Sequence, residues 1–184
     1  MFIQTEETPN PATLKFLPGR PVMENGTADF RRGEDAAASP LADRLFGVDG
    51  VEGVFFGADF LTVTKSDIRD WTAMKPALLG VIMEHFTSGA PVIAEANDGA
   101  AANGVEDDNE VVVQIKELID TRVRPAVAQD GGDIVFDRYE DGIVFLRMRG
   151  ACAGCPSSTA TLKMGIENML RHYIPEVQGV SAVA

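Results

Sequence analysis

Cysteine and histidine are scarce in this 184-residue sequence, with two of each. Two cysteines cannot build the disulfide framework of a small secreted domain. Cys152 and Cys155 also lie so close together that a bridge between them would close too short a loop to add much stability. Basic residues are few as well: 16 Lys and Arg face 28 Asp and Glu, for a formal net charge of −12. Such a surface repels nucleic-acid phosphates and anionic headgroups, so neither nucleic acid nor a membrane is expected as a partner. No run approaches the ~20 apolar residues that span a bilayer. Residues 1–7 show no basic stretch leading into an apolar one and no Arg-rich transit pattern, which makes a cytosolic location the expectation. A Walker-type phosphate loop, a Ser–His–Asp set and an HExxH helix are all missing, so energy coupling and hydrolysis are not expected of this chain.

What is present falls into an α+β pattern of two small mixed α/β domains, 1–88 and 108–184, joined by an acidic flexible linker over 89–107. Residues 1–6 and 12–17 read as strands joined by the turn Thr8-Pro9-Asn10-Pro11. Residues 51–56 and 60–64 form a second pair around Gly57-Ala58-Asp59. Ser39 and Pro40 suit the cap and first position of a short helix carrying Leu41, Leu45 and Phe46. A longer helix follows from Asp70 with Trp71, Met74, Leu78, Leu79, Ile82 and Phe86 at helical spacing, and Pro76 is a candidate kink. In the linker, Glu95, Asp98, Glu106, Asp107 and Asp108 accumulate without a basic residue, which favours an extended chain. Val92 and Ile93 are too few to support a packed element there.

Beyond it, Val112, Ile115, Ile119, Val123 and Val127 predict one amphipathic helix, capped by Asp108 or Asn109 and ended by Gly131-Gly132. Strands over 133–139 and 143–149 meet at Asp141-Gly142, a pair suited to a type I′ turn. Val144, Leu146 and Met148 share one strand face; Phe145, Arg147 and Arg149 share the other. A helix from Pro156 turns Leu162, Ile166, Met169 and Leu170 inward, and residues 179–183 read as a last strand.

The chemistry lies between the last hairpin and that helix, in Gly150-Ala151-Cys152-Ala153-Gly154-Cys155-Pro156. Two residues between thiols set both sulfurs on one side of a tight turn, and the glycines admit unusual backbone angles. Pro156 fits the first helical position, making Cys155 the expected N-cap, where free N–H groups and the helix dipole stabilise a thiolate. Arg147, Arg149 and Lys163 can add positive charge. Iron, zinc and disulfide chemistry all use a thiolate, so this reasoning leaves the three open. Iron–sulfur clusters and structural zinc usually take four protein ligands. One chain supplies two and a two-fold pair of chains supplies four. His85 and His172 each fall near a helix C-terminus, where a histidine has a structural rationale of its own.

The segments Asp130-Gly131-Gly132-Asp133-Ile134, Gly150-Ala151-Cys152, Cys155-Pro156-Ser157-Ser158, Thr161-Leu162-Lys163 and Gly165-Ile166-Glu167 resemble, in order, the NifU-like C-terminal domain of Nfu-type proteins. Phe2-Ile3-Gln4-Thr5-Glu6, Thr8-Pro9-Asn10-Pro11 and Leu14-Lys15-Phe16 are similar to the Nfu N-terminal domain. The resemblance implies a scaffold or carrier, not an enzyme. Such a protein takes a 4Fe–4S cluster from an upstream donor, holds one per homodimer through Cys152 and Cys155, and delivers it to apo iron–sulfur client proteins. It also implies that the N-terminal domain serves partner recognition.

Two other chemistries compete. A thiol–disulfide oxidoreductase would use Cys152 as the exposed attacking thiol and Cys155 to resolve the mixed disulfide. A zinc clamp would join two chains through the same four sulfurs. Gly131 and Gly132 have a simpler reading as a helix end, Arg147 and Arg149 as a solvated strand face, Ser157 and Ser158 as helix-start hydrogen bonders, and Trp71 and Phe86 as core.

Overall fold

The computed structural model describes residues 1–32, 36–94, 109–153 and 156–183, with the side chains of residues 156–158 left aside. Two units emerge, Met1–Ala102 and Asn103–Ala184, and both mix helices with sheet, giving an α+β protein.

In the first unit, strands β1 (Gln4–Glu7), β2 (Thr13–Leu17), β3 (Ala28–Arg31), β4 (Val51–Phe56) and β5 (Leu61–Lys65) form one antiparallel sheet in the order β1-β2-β5-β4-β3. The turn at Thr8 to Pro11 is built as its residues predict. The Thr8 hydroxyl donates to the Asn10 and Thr13 carbonyls, and the Asn10 side chain accepts from the Ala12 N–H. Strand β3 escapes sequence reasoning because its apolar residues are only partly covered. Helix α1 (Pro40–Phe46) starts as expected, with Ser39 Oγ accepting from the Ala42 N–H at 3.0 Å. Helix α2 (Trp71–Ser88) runs through Pro76 without interruption. Met74, Leu78, Ile82 and Phe86 from α2, Leu41 and Leu45 from α1, and Phe16, Phe56, Leu61 and Val63 from the sheet close one core.

The chain after α2 does not leave at once. Gly89 takes a left-handed φ of 71°, and the following residues run back against α1. There Ser39 Oγ donates to the Val92 carbonyl at 2.6 Å, and the Ala94 N–H donates to the Ala38 carbonyl at 2.8 Å. Val92 and Ile93 pack on the first core. Residues 90–94, which composition alone gives to the linker, are thus held on the first unit; residues 95–107 of that linker lie outside the described residues. His85 is fully buried in this region, edge-to-face with Phe86, and neither ring nitrogen is hydrogen-bonded among the described residues.

The second unit opens with α3 (Glu110–Leu118), capped by the Asn109 side chain. A π-helical turn, Ile119–Val123, leads from it into α4 (Arg124–Gln129). The expected helix is therefore continuous over 110–129 but widened in its middle, and Pro125 supplies the reason: without an N–H, and with its ring against the preceding turn, it disfavours a regular α-helical ladder there. The wider turn also suits the side chains. Ile115, Ile119, Val123 and Val127 recur every four residues, a spacing that drifts ~40° per step around an α-helix; the π turn keeps all four buried. Strands β6 (Gly132–Glu140) and β7 (Ile143–Gly150) pair antiparallel through a turn in which Asp141 and Gly142 both have positive φ, as a type I′ turn requires. Helix α5 (Pro156–Tyr173) then carries the chain to β8 (Gly179–Val183), which pairs parallel with β7. Val144, Leu146 and Met148 face the helices, together with Ile166 and Leu170.

One ion pair fixes this unit where β6 begins. The Asp133 carboxylate is buried and receives Arg124 through Nε at 2.8 Å and Nη2 at 3.0 Å, and it also accepts from the Ile134 N–H at 2.9 Å. Arg124 bonds Asp120 as well, and these carboxylates raise its pKa.

Two predictions follow from these packing arrangements. Burial pushes the His85 pKa below the ordinary imidazole value, the Arg44 guanidinium acts in the same direction, and the backbone of Pro91 and Ala90 opposes them. The unfolded chain binds a proton from about pH 6.5 downward while the folded chain refuses it. First-unit stability is therefore full above that pH and falls as pH drops through 6 to 5. Urea unfolding followed by Trp71, the one tryptophan, should show this slope, and His85→Leu should flatten it. Arg124→Leu leaves Asp133 buried without its cation, which should cost the second unit about 2–4 kcal/mol, read by urea unfolding with circular dichroism.

Candidate functional site: the thiol turn

Strand β7 ends at Gly150, whose φ of 61° turns the chain sharply out of the sheet. The next residues form a turn closed by the Ala153 N–H donating to the Gly150 carbonyl at 3.1 Å. Two further bonds hold this turn to its surroundings. The Ala151 N–H donates to the Gly131 carbonyl at 3.1 Å, and the Thr159 hydroxyl, from the first turns of α5, donates to the Cys152 carbonyl at 3.3 Å. The turn is thus pinned between the start of β6 and the start of α5.

Cys152 is buried at 7% exposure and belongs to the second unit's core. Gly132, paired in register with Gly150, makes this possible. A Cβ built on Gly132 would collide with Cys152 Sγ, and would stand 3.0 Å from the Cys152 nitrogen and 3.1 Å from the Arg149 carbonyl. Gly131 does the turning work expected of the pair, with a φ of 79°, whereas Gly132 provides space beside a thiol. Sequence reasoning assigned both to the helix end and so missed the second role. The available signal was the doubling of the glycine, since ending a helix needs only one.

Cys155 and Gly154 lie outside the described residues, as do the side chains of Ser157 and Ser158. Helix α5 does begin at Pro156, so the position that follows Cys155 is the first of an eighteen-residue helix. The expected cationic surround is only partly assembled. Arg147 bonds the Asp137 carboxylate at 2.9 Å on the solvent face of the sheet. Arg149 lies on that face too, opposite Asp133, and the Asp133 carboxylate is held by Arg124.

Neither histidine is placed to complete a ligand set. His172 is in the last turn of α5, about 24 Å along the helix from its start, and stacks edge-to-face with Tyr173. His85 is sealed in the first core. Among the described residues no three His, Cys, Asp or Glu side chains gather to hold a metal ion. A buried Cys152 also departs from the exposed attacking thiol that a dedicated oxidoreductase needs. Among the described residues no helix is long and apolar enough to cross a membrane.

Comparison with known proteins bears on both units. Residues 3–89 match the family described as scaffold protein Nfu/NifU N terminal, and residues 115–181 match the NifU-like domain. The whole chain is 55% identical to a Drosophila sechellia protein named NFU1 iron-sulfur cluster scaffold homolog, mitochondrial, covering 65% of that protein. It is 54% identical to the human protein of the same name, covering 72% of it. The chain thus spans about two thirds of the length of these relatives. A solution structure of a NifU-like protein from Saccharomyces cerevisiae aligns over 52% of this chain and 86% of its own, at 27% identity and a TM-score of 0.48. The cytosolic expectation is overturned by the same relatives, which are named mitochondrial. That expectation rested on the lack of a targeting pattern in residues 1–7, and such a lack names no compartment. With both of its units matched in order and more than half of its residues identical to those of these relatives, the chain belongs to the Nfu family of iron–sulfur cluster scaffold proteins.

Proposed function

We propose that two copies of this chain hold one 4Fe–4S cluster through Cys152 and Cys155 of each, and pass it to apo iron–sulfur proteins, working in the mitochondrion. The observation that carries this reading is the strand–turn–helix frame. It sets Cys152 in a turn pinned between β6 and α5, three residues ahead of Cys155, with a long helix beginning directly after the second thiol. Free N–H groups at such a helix start favour a thiolate over a thiol. Four thiolates drawn from two chains complete a cluster that neither chain can ligate alone. The cluster is cargo. Client thiolates displace Cys152 and Cys155 from iron one at a time, each new iron–sulfur bond replacing one that breaks, so transfer needs neither a nucleotide nor a change of redox state.

In this reading the first unit recognises partners and the second carries the cluster. The metal-free chain is a monomer that pairs on loading, because the second copy is needed only for its ligands. An upstream donor supplies the cluster.

Anaerobic reconstitution with iron and sulfide, followed by native mass spectrometry, tests the reading. The expected species is a dimer carrying the mass of one 4Fe–4S unit, and Cys152→Ser or Cys155→Ser should each reduce it at least about tenfold, since each removes two of the four ligands. A loaded monomer, or a single-cysteine variant that keeps its cluster, would contradict it. Zinc near one per dimer, with no iron or sulfide taken up, would favour the clamp instead.

A further inference from the structure

The second unit's positive charges are nearly all in use. Of its eight Lys and Arg, Arg124, Arg138, Arg147 and Arg171 are held by carboxylates, and Lys116 and Arg122 lie over the rings of Phe136 and Tyr173. Arg149 and Lys163 have no hydrogen bond, ion pair or ring contact among the described residues. Arg149 stands on the solvent face of the sheet, across from Asp133, while Cys152 packs into the core. Lys163 is placed differently. On α5, Thr159, Lys163 and Glu167 recur every four residues and form one partly buried flank of the helix. At one end of this flank the Thr159 hydroxyl donates to the Cys152 carbonyl at 3.3 Å. Lys163 is one helical turn from that contact, with its Cβ about 5–6 Å from that of Thr159. Side chains on a helix lean toward its N-terminus, so the Lys163 stem leans toward Thr159 and the thiol turn. Glu167, the carboxylate at pairing distance on the same flank, is taken by Arg171 at 3.6 Å and by the Val180 N–H at 3.2 Å.

We infer that Lys163 is the counter-ion of the thiol site: its unpaired ammonium sets a positive potential where the thiolates and their cluster gather. The inference rests on the proposed ligand role of Cys152 and Cys155 and adds a charge to it. Four thiolates outweigh the positive charge of an iron–sulfur core, so the loaded site is anionic. Two chains, each of formal net charge −12, must also approach one another to form it. A fixed cation beside the site offsets both. Lys163 is available for this because no carboxylate among the described residues holds it. The plainer role for a partly buried lysine is to lay its methylenes on apolar surface and keep its head in water. That role needs the stem alone and the counter-ion role needs the charge, so substitution separates the two.

The test uses the full, metal-free, reduced chain and compares alkylation by iodoacetate, an anion, with alkylation by iodoacetamide, its neutral analogue. The ratio of the two rates, followed at Cys152 and at Cys155 by mass spectrometry, cancels thiol burial and thiolate fraction and reads the local potential. Lys163→Met keeps the stem and removes the charge. It should lower the ratio at one or both cysteines at least about twofold in low salt, and about 1 M salt should erase the difference. Lys163→Arg should keep the native ratio. Arg147→Gln, which removes a cation already paired with Asp137, should leave it unchanged. A smaller fall with Lys163→Met, or an equal one with Arg147→Gln, overturns the inference. A fall that high salt does not erase, or that Lys163→Arg shows as well, marks a packing role and also overturns it. In the reconstituted protein, iron release to a ferrous chelator at low salt should be at least about threefold faster with Lys163→Met and native-like with Lys163→Arg; release at the native rate in both overturns the counter-ion role. A native chain that takes up no cluster contradicts the proposed function instead. The alkylation ratio uses no cluster, so the two failures are read apart.

Discussion

The second unit depends on a close approach of two pieces of backbone. Where β6 begins and β7 ends, Gly132 lies across from Gly150, and there is no room between the strand and the thiol turn for even one extra carbon. The other features of the site follow from this. The turn can be short because Gly131 offers its carbonyl to Ala151 directly. Cys152 can be buried because the residue beneath it has no side chain. The approach holds its position because Arg124 and Asp133 tie the preceding helix to the first residues of β6, with a carboxylate satisfied by a guanidinium and a backbone N–H together. Breaking a buried pair of this kind strands a charge, so the geometry is resistant to drift.

Carriage asks for different physics from catalysis. An enzyme's resident cofactor gains from a closed, fully ligated pocket within one chain. A carrier must reach full ligation and then give it up. Two thiols per chain, with the rest of the ligand set drawn from a second copy, suit the second requirement in the proposed reading. The first unit is built on its own sheet and core. Its tail is more ordered than composition implies: Ser39 serves both α1 and the returning chain, accepting from Ala42 while donating to Val92.

Much of this was legible in the sequence, for physical reasons. Alternation along Ile143–Gly150 fixed which residues of β7 face the core, and Asp141-Gly142 fixed the turn before it, since few other pairs tolerate two positive φ values. Ser39-Pro40 and Asn109 marked helix starts through their own side-chain chemistry. The candidate site drew attention because two cysteines in an otherwise thiol-free chain have few roles to choose from.

What escaped depends on contacts distant in sequence. The π turn follows from Pro125, but a periodic pattern read at 3.6 residues hides it. Strand β3 has half-covered residues and weak alternation. Residues 90–94 looked like linker because only Val92 and Ile93 are apolar, and it is two hydrogen bonds to α1 and the residues just before it that hold them. Nothing local reveals that Asp133 faces Arg124 or that Gly132 faces a sulfur. The compartment was misread because it was taken from the lack of a targeting pattern, and a lack of signal names no compartment.

The measurement that bears most directly on the central claim is iron-edge X-ray absorption of the reconstituted protein. Ligation by Cys152 and Cys155 from two chains predicts a first shell of sulfur alone, with an iron–iron shell beyond it. Nitrogen or oxygen in the first shell would mean that a histidine, a carboxylate or water completes the site within one chain, and would contradict the account.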